Sequence, residues 1–311
     1  MRVRKIKDLQ LLSAIGFTGK VVGGLHLQQD RGLVYPVGVG VGVWDRVGGR
    51  HALLHAHTRP VTALAVSSSG QIIVSAQDSD PGCQKIEHEA MDTNLRNSYL
   101  GETWVNTGSG ETWVNTGLGE SWVNTGLGET WVNTGLEETW ARVVVWQYEA
   151  RREYGSHSLH REEVAAVAVT AGEEYVASLG GVLDGYLVIW HLPTRRPLCS
   201  VVAAEAGLGT ATHLCTAPRT PTLMVVGGTR TLRAWSLNSH TNRLTPTPIS
   251  LGLLERNYTC LQVEAREELL YAGTTSGDVV KVRLNMSAGE EPLTTRVHNR
   301  APEPLTIARS L

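Results

Sequence analysis

Residues 175–191 read YVASLGGVLDGYLVIWH, and this stretch decides the fold of the 311-residue chain. Two runs rich in aliphatic and β-branched residues flank Asp184-Gly185, a dipeptide that is typical of a tight hairpin turn. The second run, YLVIW, is apolar at every position, as expected for a strand that is covered on both faces. The stretch therefore predicts a buried antiparallel hairpin whose second strand ends at Trp190.

The same pattern recurs at a regular spacing. Short apolar runs also end at Trp44, Trp146 and Trp235, and Trp146, Trp190 and Trp235 are separated by 44 and 45 residues. The longer gap after Trp44 returns to about 44 residues when roughly 58 residues of unrelated sequence are set aside. In each unit, two further strand-like segments precede the run that ends at the tryptophan. A period of about 40 to 45 residues with four strands per unit is the signature of a WD40-type β-propeller blade.

The predicted fold is therefore an all-β, WD40-type β-propeller of about five four-stranded blades. The blades occupy residues 23–298, after a lead-in at 1–22 and before an irregular tail at 299–311. In the fifth blade Val282 takes the place of the tryptophan. A helical solenoid of similar period is excluded, because the Gly-rich, β-branched runs lack the spacing of an amphipathic helix.

A tandem nonapeptide interrupts the second blade. Copies of GETWVNTGL begin at Gly101 and place five tryptophans nine residues apart, at Trp104, Trp113, Trp122, Trp131 and Trp140. The low-complexity insert, 79–141, falls between the second and third strands of the blade, where a hairpin loop tolerates extra length. A nine-residue unit could build a β-solenoid, but so few copies without caps favour a disordered expansion.

Composition excludes several classes of function. The 28 basic and 30 acidic residues give a net charge of -2, which is unlike the basic footprint of a nucleic-acid-binding protein. No apolar run is long enough to cross a membrane, and the basic start of the chain is a poor signal peptide. The four cysteines form no close pair that would suggest zinc or a disulfide scaffold. We therefore expect a cytoplasmic protein with no cofactor and no nucleic-acid or membrane partner.

Polar residues recur at fixed places in the predicted blades. In a WD40 blade, a histidine before the first strand, a serine or threonine on the second, an aspartate in the next turn and the tryptophan can be linked by hydrogen bonds. The residues predicted to have this blade-structural role are His57, Ser75 and Trp146 in the second blade, His160, Ser178, Asp184 and Trp190 in the third, and the tryptophans Trp44 and Trp235.

Two alternatives for these side chains involve chemistry. His160, Asp184 and Ser178 could form a catalytic triad, but no oxyanion-hole segment accompanies them. The segment HALLHAH could bind a metal through His51, His55 and His57, but an outer edge strand followed by the blade histidine explains it better. We therefore predict no catalytic residue, no metal site and no enzyme.

Four stretches carry a more specific resemblance. They are SAIGFTGKVVGGLHLQQDRGLVYPVG at 13–38, LAVSSSGQIIVSAQ at 64–77, YVASLGGVLDGYLVIWHLPTRRPLC at 175–199 and LLYAGTTSGDVVKV at 269–282. Together they resemble the amino-terminal half of the cilia- and flagella-associated WD40-repeat family numbered fifty-two. The resemblance implies a non-enzymatic scaffold of motile cilia and flagella. It also implies a microtubule inner protein of the axonemal doublets that contacts tubulin and other inner proteins of the cytoskeleton.

The chain departs from that family in two ways. The family has about twice as many residues and forms two propellers, whereas the ending HNRAPEPLTIARSL has the character of a truncated terminus. The nonapeptide insert is absent from the family pattern. We therefore expect a partial, unclosed ring. The alternative function is a general WD40 interaction platform in the cytoplasm, in signalling or as a ubiquitin-ligase adaptor, because this fold serves many partners.

Overall fold

The computed structural model describes most of the predicted blades. The described residues are 16–28, 32–80, 140–204, 209–249 and 255–284, with short strands at 104–106, 113–115, 122–124 and 131–133. Every regular element in these ranges is a β-strand except a single 3-10 turn at Ala171–Glu173. The all-β prediction is thereby confirmed. The first fifteen residues of the lead-in and the tail at 299–311 lie outside the described residues.

Five blades follow one another along the chain, and strands are numbered in chain order. The first blade contains β1 (His26–Gln28), β2 (Gly32–Val37), β3 (Gly40–Asp45) and β4 (Arg50–His55). The second contains β5 (Val61–Val66), β6 (Ile72–Gln77), β11 (Trp140–Gln147) and β12 (Arg152–Arg161). The third contains β13 (Val164–Val169), β14 (Tyr175–Gly180), β15 (Tyr186–His191) and β16 (Arg196–Val202).

The fourth blade contains β17 (Thr210–Thr216), β18 (Leu223–Thr229), β19 (Leu232–Asn238) and β20 (Arg243–Pro248). The fifth contains β21 (Tyr258–Val263), β22 (Leu269–Thr274) and β23 (Val279–Arg283). Its described part thus has three strands rather than four. The fourth strand that we expected falls at 285–298, outside the described residues.

Within each blade the strands form an antiparallel meander, and in the part of the chain that the structure describes the blades follow one another without closing into a ring. Consequently the outer faces of the first and fifth blades have no neighbouring blade among the described residues. The prediction of an unclosed WD40-like propeller is confirmed in this respect. Among the described residues, no helix is long and apolar enough to cross a membrane.

The nonapeptides lie between two strands that pair directly with each other. β6 and β11 are adjacent in the second blade, with Val74 opposite Val145, although about sixty residues separate them in sequence. Within the insert, four copies of Trp-Val-Asn form β7 (Trp104–Asn106), β8 (Trp113–Asn115), β9 (Trp122–Asn124) and β10 (Trp131–Asn133).

These four short strands form an antiparallel sheet of their own, in the order β10-β9-β8-β7. We expected the insert as a whole, 79–141, to be a disordered expansion; the structure has short strands at these four positions, and most of the rest of the insert lies outside the described residues. The sheet also differs from a solenoid, because successive copies reverse direction. The physical reason is local: Trp and Val favour strands, and the Thr-Gly that follows each Asn favours a turn.

The blades repeat two backbone features that the sequence does not display. A register shift occurs at the start of the innermost strand of the second to fifth blades, for example between Val61 and Ala63. A four-residue turn joins the third and fourth strands of the first four blades, and its last residue has a positive φ in each case. Those residues are Gly49, Arg151, Arg195 and Asn242. The repetition shows that the units are equivalent despite their divergent sequences.

The hydrophobic core lies between blades, because the tryptophans of the second, third and fourth blades each pack against the preceding blade. Trp146 joins Val34 and Val43 of the first blade in one buried cluster. Trp190 packs with Val143 of the second blade, and Trp235 packs with the third. Trp44 has no preceding blade, is only half-buried and stacks on His51 with ring centroids 6.2 Å apart. Burial of a tryptophan side chain therefore couples the second, third and fourth blades to their predecessors.

Candidate functional site

The first polar cluster links the entry to the second blade with its two central strands. His57 follows β4, and its Nε2 lies 2.7 Å from the hydroxyl of Ser75 on β6. The indole N–H of Trp146 on β11 donates to the same hydroxyl over 2.8 Å. The histidine Nδ1 lies 3.1 Å from Oε1 of Gln77, which also accepts the backbone N–H of Thr58. These partners assign the proton of a neutral His57 to Nδ1.

Burial controls the charge of this histidine. His57 is 7% exposed, and desolvation lowers its pKa from 6.5 to about 4. The hydrogen bond to Gln77 and the charge of Glu153 favour the protonated form, while Arg142 opposes it, and desolvation dominates. The imidazole is therefore a neutral structural group at physiological pH.

The second cluster has the same layout with a different acceptor. His160, at the end of β12, has its Nε2 2.8 Å from the hydroxyl of Ser178 on β14. Its Nδ1 lies 2.7 Å from Oδ2 of Asp184 in the turn after β14. The other carboxylate oxygen of Asp184 accepts the backbone N–H of Arg161 over 2.9 Å. Asp184 thus does in the third blade what Gln77 does in the second.

Trp190 is not joined to this cluster by its indole N–H. Its Nε1 is buried and has no hydrogen-bond partner among the described residues. The ring instead meets His157 edge to face, with centroids 4.8 Å apart, and lies over Gly155 of the second blade. The expected hydrogen-bonded set of four is therefore reduced to three here. Packing against the preceding blade has determined the orientation of the indole ring.

The two tryptophans provide a matched pair for mutation. We expect Trp146→Phe to destabilise the protein by about 1 kcal/mol more than Trp190→Phe. Both changes shrink a buried ring, but only the first removes a hydrogen bond, while the second removes an unsatisfied buried donor. Urea denaturation of the two variants measures the difference. Equal losses of stability would contradict the different roles of the two indole groups.

The three side chains have the geometry of a catalytic triad, but a substrate has no access to the serine hydroxyl. Ser178, His160 and Asp184 lie in the order of a serine–histidine–aspartate relay. However, Ser178 is 1% exposed and His160 is fully buried, so no substrate can reach the hydroxyl in this conformation. The arrangement can hold a turn against two strands, and it offers no route for acyl transfer.

The metal alternative is not supported by the positions of the three histidines. His51 and His55 lie on the exposed outer strand β4, where His51 stacks on Trp44, and His57 is directed into its own cluster. Within the described residues, no group of three His, Cys, Asp or Glu side chains is placed to hold a metal ion.

A cavity of about 630 Å³ lies on the axis of the arc. The innermost strands of the second to fifth blades line it, together with His26 at the start of the first blade. Desolvation lowers the pKa of His26, although the hydrogen bond to the Leu64 carbonyl acts to raise it. Desolvation also lowers the pKa of His213. Burial raises the pKa of the Cys215 thiol to about 12, which disfavours the reactive thiolate form.

Gln77 and Glu267 are two of the buried polar residues that the sequence pattern missed. Gln77 lies two residues after Ser75 and so on the same face of β6, a spacing that would have identified it. Glu267, with a φ of 63°, accepts the backbone N–H groups of Arg219 and Thr220. Burial alone would raise its pKa, but these hydrogen bonds and that of the Thr220 hydroxyl lower it. Glu267 thereby fastens the fifth blade to the fourth.

Comparison with known proteins points to one family, although no family model matches the chain. The chain is 25% identical over 281 residues to "Cilia- and flagella-associated protein 52" of Bos taurus. The matched region covers 90% of the chain and 36% of that relative. The identity is 25% over 279 residues for the Homo sapiens protein and 25% over 280 residues for that of Chlamydomonas reinhardtii. In both cases 89% of the chain and 36% of the relative are covered.

The chain thus spans about a third of the length of these relatives. Six such matches, all bearing the same name, agree with the motifs and with the propeller architecture. Over about nine-tenths of its length, the chain is thus similar to proteins named cilia- and flagella-associated protein 52.

Proposed function

We propose that this protein is a non-enzymatic scaffold of motile cilia and flagella. The observation that carries the proposal is the similarity, over nearly nine-tenths of the chain, to proteins named for cilia and flagella in organisms as different as Homo sapiens and Chlamydomonas reinhardtii. The buried polar clusters agree with a structural role, because their hydrogen bonds join strands and turns and leave no reactive group exposed.

The finer proposal is that of a microtubule inner protein in the axonemal doublets, in contact with tubulin and neighbouring inner proteins. A chain of rigid blades that are stacked through apolar clusters suits this role, because its loops can contact several partners without a change of fold. Docking inside a polymer requires a scaffold of fixed shape, and the close interblade packing provides one.

Imaging tests the proposal directly. The full chain, carrying an epitope tag, is expressed in multiciliated cells, and the axonemes are then extracted with detergent. We expect the tagged protein to remain along the extracted axoneme, while the tag alone is lost. A diffuse cytoplasmic signal would contradict the ciliary role. It would favour the general interaction platform, which is also expected to be expressed in cells that lack cilia.

A further inference from the structure

An arginine occupies the same position in each of the first four blades. The fourth strand begins with Arg50 in the first blade, Arg152 in the second, Arg196 in the third and Arg243 in the fourth. Each of them lies opposite the last residue of the third strand, at the closed end of the hairpin that joins the two strands. The four positions are therefore equivalent in the repeat, and they lie at the same end of successive blades.

The turns before these strands add three more arginines, which are Arg46, Arg151 and Arg195. The four hairpin ends thus contain seven arginines, which we call the arginine rim, against two carboxylates, those of Asp45 and Glu149. All seven arginines are exposed, and none of them forms an ion pair with another described residue. The rim is therefore a concentration of positive charge on a chain whose net charge is -2.

The rim is continuous between the second and third blades. The guanidinium of Arg195 lies 4.3 Å from the centre of the Tyr154 ring on β12. A Cβ added at Gly155, the next residue, would lie 3.8 Å from Cδ of Arg195. Arg152 begins the same strand, about 7 Å before Tyr154. The arginines of the two blades therefore form one positive surface.

The backbone at two rim positions is unfavourable for arginine. Arg151 and Arg195 have φ values of 49° and 57°, in the left-handed region that glycine and asparagine adopt most readily. The equivalent residues of the first and fourth blades are Gly49 and Asn242. The fold alone would be served better by glycine or asparagine at both positions. Arginine in this conformation indicates a role for the side chain beyond the fold.

Negative charge is concentrated at the opposite end of the blades. The insert leaves the second blade at Asp80 and Trp140, about 25 Å from the rim, because β11 is eight residues long. Residues 81–139 contain nine Asp and Glu against two basic residues, Lys85 and Arg96. The distance exceeds the Debye length of about 8 Å at physiological ionic strength, so charge at that end does not neutralise the rim.

This distribution of charge favours one class of partner. Guanidinium groups pair with carboxylates and with phosphates. A duplex nucleic acid carries about one negative charge per 1.7 Å along its whole length, so it would extend past the rim towards the acidic end. A membrane surface would require apolar side chains beside the cations, and Val47 is the one large apolar residue exposed in the described turns of the rim. A short acidic protein segment fits the rim without either cost.

We propose that the arginine rim binds an acidic, extended segment of a partner protein that is rich in Glu or Asp. The segment crosses the second and third blades, where its carboxylates pair with the guanidinium groups of Arg152 and Arg196 and of the arginines that precede them. This inference goes beyond the proposed function, and it would hold for any cellular location of the protein.

Peptide binding to the full chain tests the site. The probe is a fluorescein-labelled peptide of glutamate with interspersed glycine, and the matched control replaces each glutamate by glutamine. By fluorescence polarisation we expect the acidic peptide to bind at least about tenfold more tightly than the control, and more weakly as salt is added. Equal binding of both peptides, or of neither, would overturn the proposal. Tighter binding of an oligothymidylate of equal charge, or of phosphatidylserine vesicles, would identify a phosphate ligand and would also overturn it.

Paired variants separate the rim from charge in general. Arg152→Gln/Arg196→Gln should lower the affinity for the acidic peptide at least about fivefold. Arg59→Gln/Arg230→Gln removes two exposed arginines at the opposite end of the blades and should change the affinity less than about twofold. Circular dichroism verifies that both variants fold. Equal losses of affinity in the two variants would refute the site.

A variant of Arg151 separates binding from folding. Arg151→Asn places in the second blade the residue that the fourth blade has at Asn242, so the midpoint of urea denaturation should not fall. The affinity for the acidic peptide should nevertheless decrease at least about twofold. Unchanged affinity would show that this arginine has no part in binding and would contradict the proposal.

Substitutions in the acidic segments of the chain itself address the other occupants. One variant combines Glu102→Gln, Glu111→Gln, Glu120→Gln and Glu129→Gln, and another is Glu290→Gln/Glu291→Gln. If the acidic peptide binds only after one of these changes, the chain covers its own rim and the proposal is wrong. A dimer in light scattering that the first variant converts to a monomer would assign the rim to the insert of a second copy, and the proposal would also be wrong. Binding of the acidic peptide by the unaltered, monomeric chain supports it.

Discussion

Gly180→Ala is expected to destabilise the protein by about 3 kcal/mol, a large effect for the addition of one methyl group. A Cβ at Gly180 would lie 1.7 Å from Oδ2 of Asp184, the oxygen that pairs with His160. The carboxylate would have to move, and the buried imidazole and the Arg161 N–H would lose their acceptor. The free energy of unfolding, measured by urea denaturation, reports the loss.

Gly19→Ala is the matched control. Gly19 also has an ordinary φ, and the nearest heavy atom to an added Cβ is 3.7 Å away, on Phe17. This substitution should change stability by no more than about 0.5 kcal/mol. Equal effects of the two alanines would show that the space beside Asp184 has no special importance.

A double substitution tests whether a glutamine can replace Asp184 as the hydrogen-bond acceptor of His160, as Gln77 serves His57 in the second blade. Gly180 occupies the position in β14 that Gln77 occupies in β6, two residues after the serine. Asp184→Gly alone should cost about 3 kcal/mol by leaving His160 without an acceptor. It also removes the Asp184 Cβ, which would lie 2.8 Å from a Cβ at position 180. Adding Gly180→Gln should restore part of that loss, because the glutamine amide can then bond to the histidine as Gln77 does. This gain would appear as strong non-additivity.

The second large effect is a loss of stability in mild acid. The pKa of His57 is about 4 in the folded protein against 6.5 for the unperturbed side chain. The unfolded state therefore binds more protons between these values, and stability that is complete above pH 6.5 is lost as the pH falls towards 4. The shift corresponds to about 3 kcal/mol. His26 and His213, whose pKa values are also lowered, act in the same direction.

A variant without the titrating group provides the comparison. His57→Gln should be less stable than the parent protein near neutral pH, but its stability should fall less as the pH is lowered. The free energy of unfolding of both proteins, measured in urea at several pH values between about 7 and 4, gives the two slopes. Identical slopes would mean that other groups cause the acid sensitivity.

The architecture could be predicted because it depends on features that the sequence shows directly. The spacing of Trp146, Trp190 and Trp235 and the apolar runs before them reflect strands that are covered on both faces, which few other folds require. The side-chain partners were harder to predict. A template that expects an aspartate in the turn finds Asp184 and overlooks Gln77, although both accept a hydrogen bond from a histidine.

Other details depend on contacts that no spacing displays. Whether an indole N–H meets a serine is decided by the neighbouring blade: His157 and Gly155 fix the ring of Trp190, whereas Trp146 reaches Ser75. The strands of the nonapeptides were missed for a different reason. A repetitive composition indicated disorder, while Trp-Val and the Thr-Gly that follows favour short strands and turns.

The separation of β6 from β11 affects the order of events during synthesis. At the usual rate of translation, about sixty residues take several seconds to emerge from the ribosome. Throughout that interval the nascent hairpin of β5 and β6 has the apolar edge IIVSAQ exposed, and the strand that will cover it has not yet been made. Each additional residue of the insert lengthens this interval, and with it the time during which the uncovered edge of β6 is open to pairing with other strands.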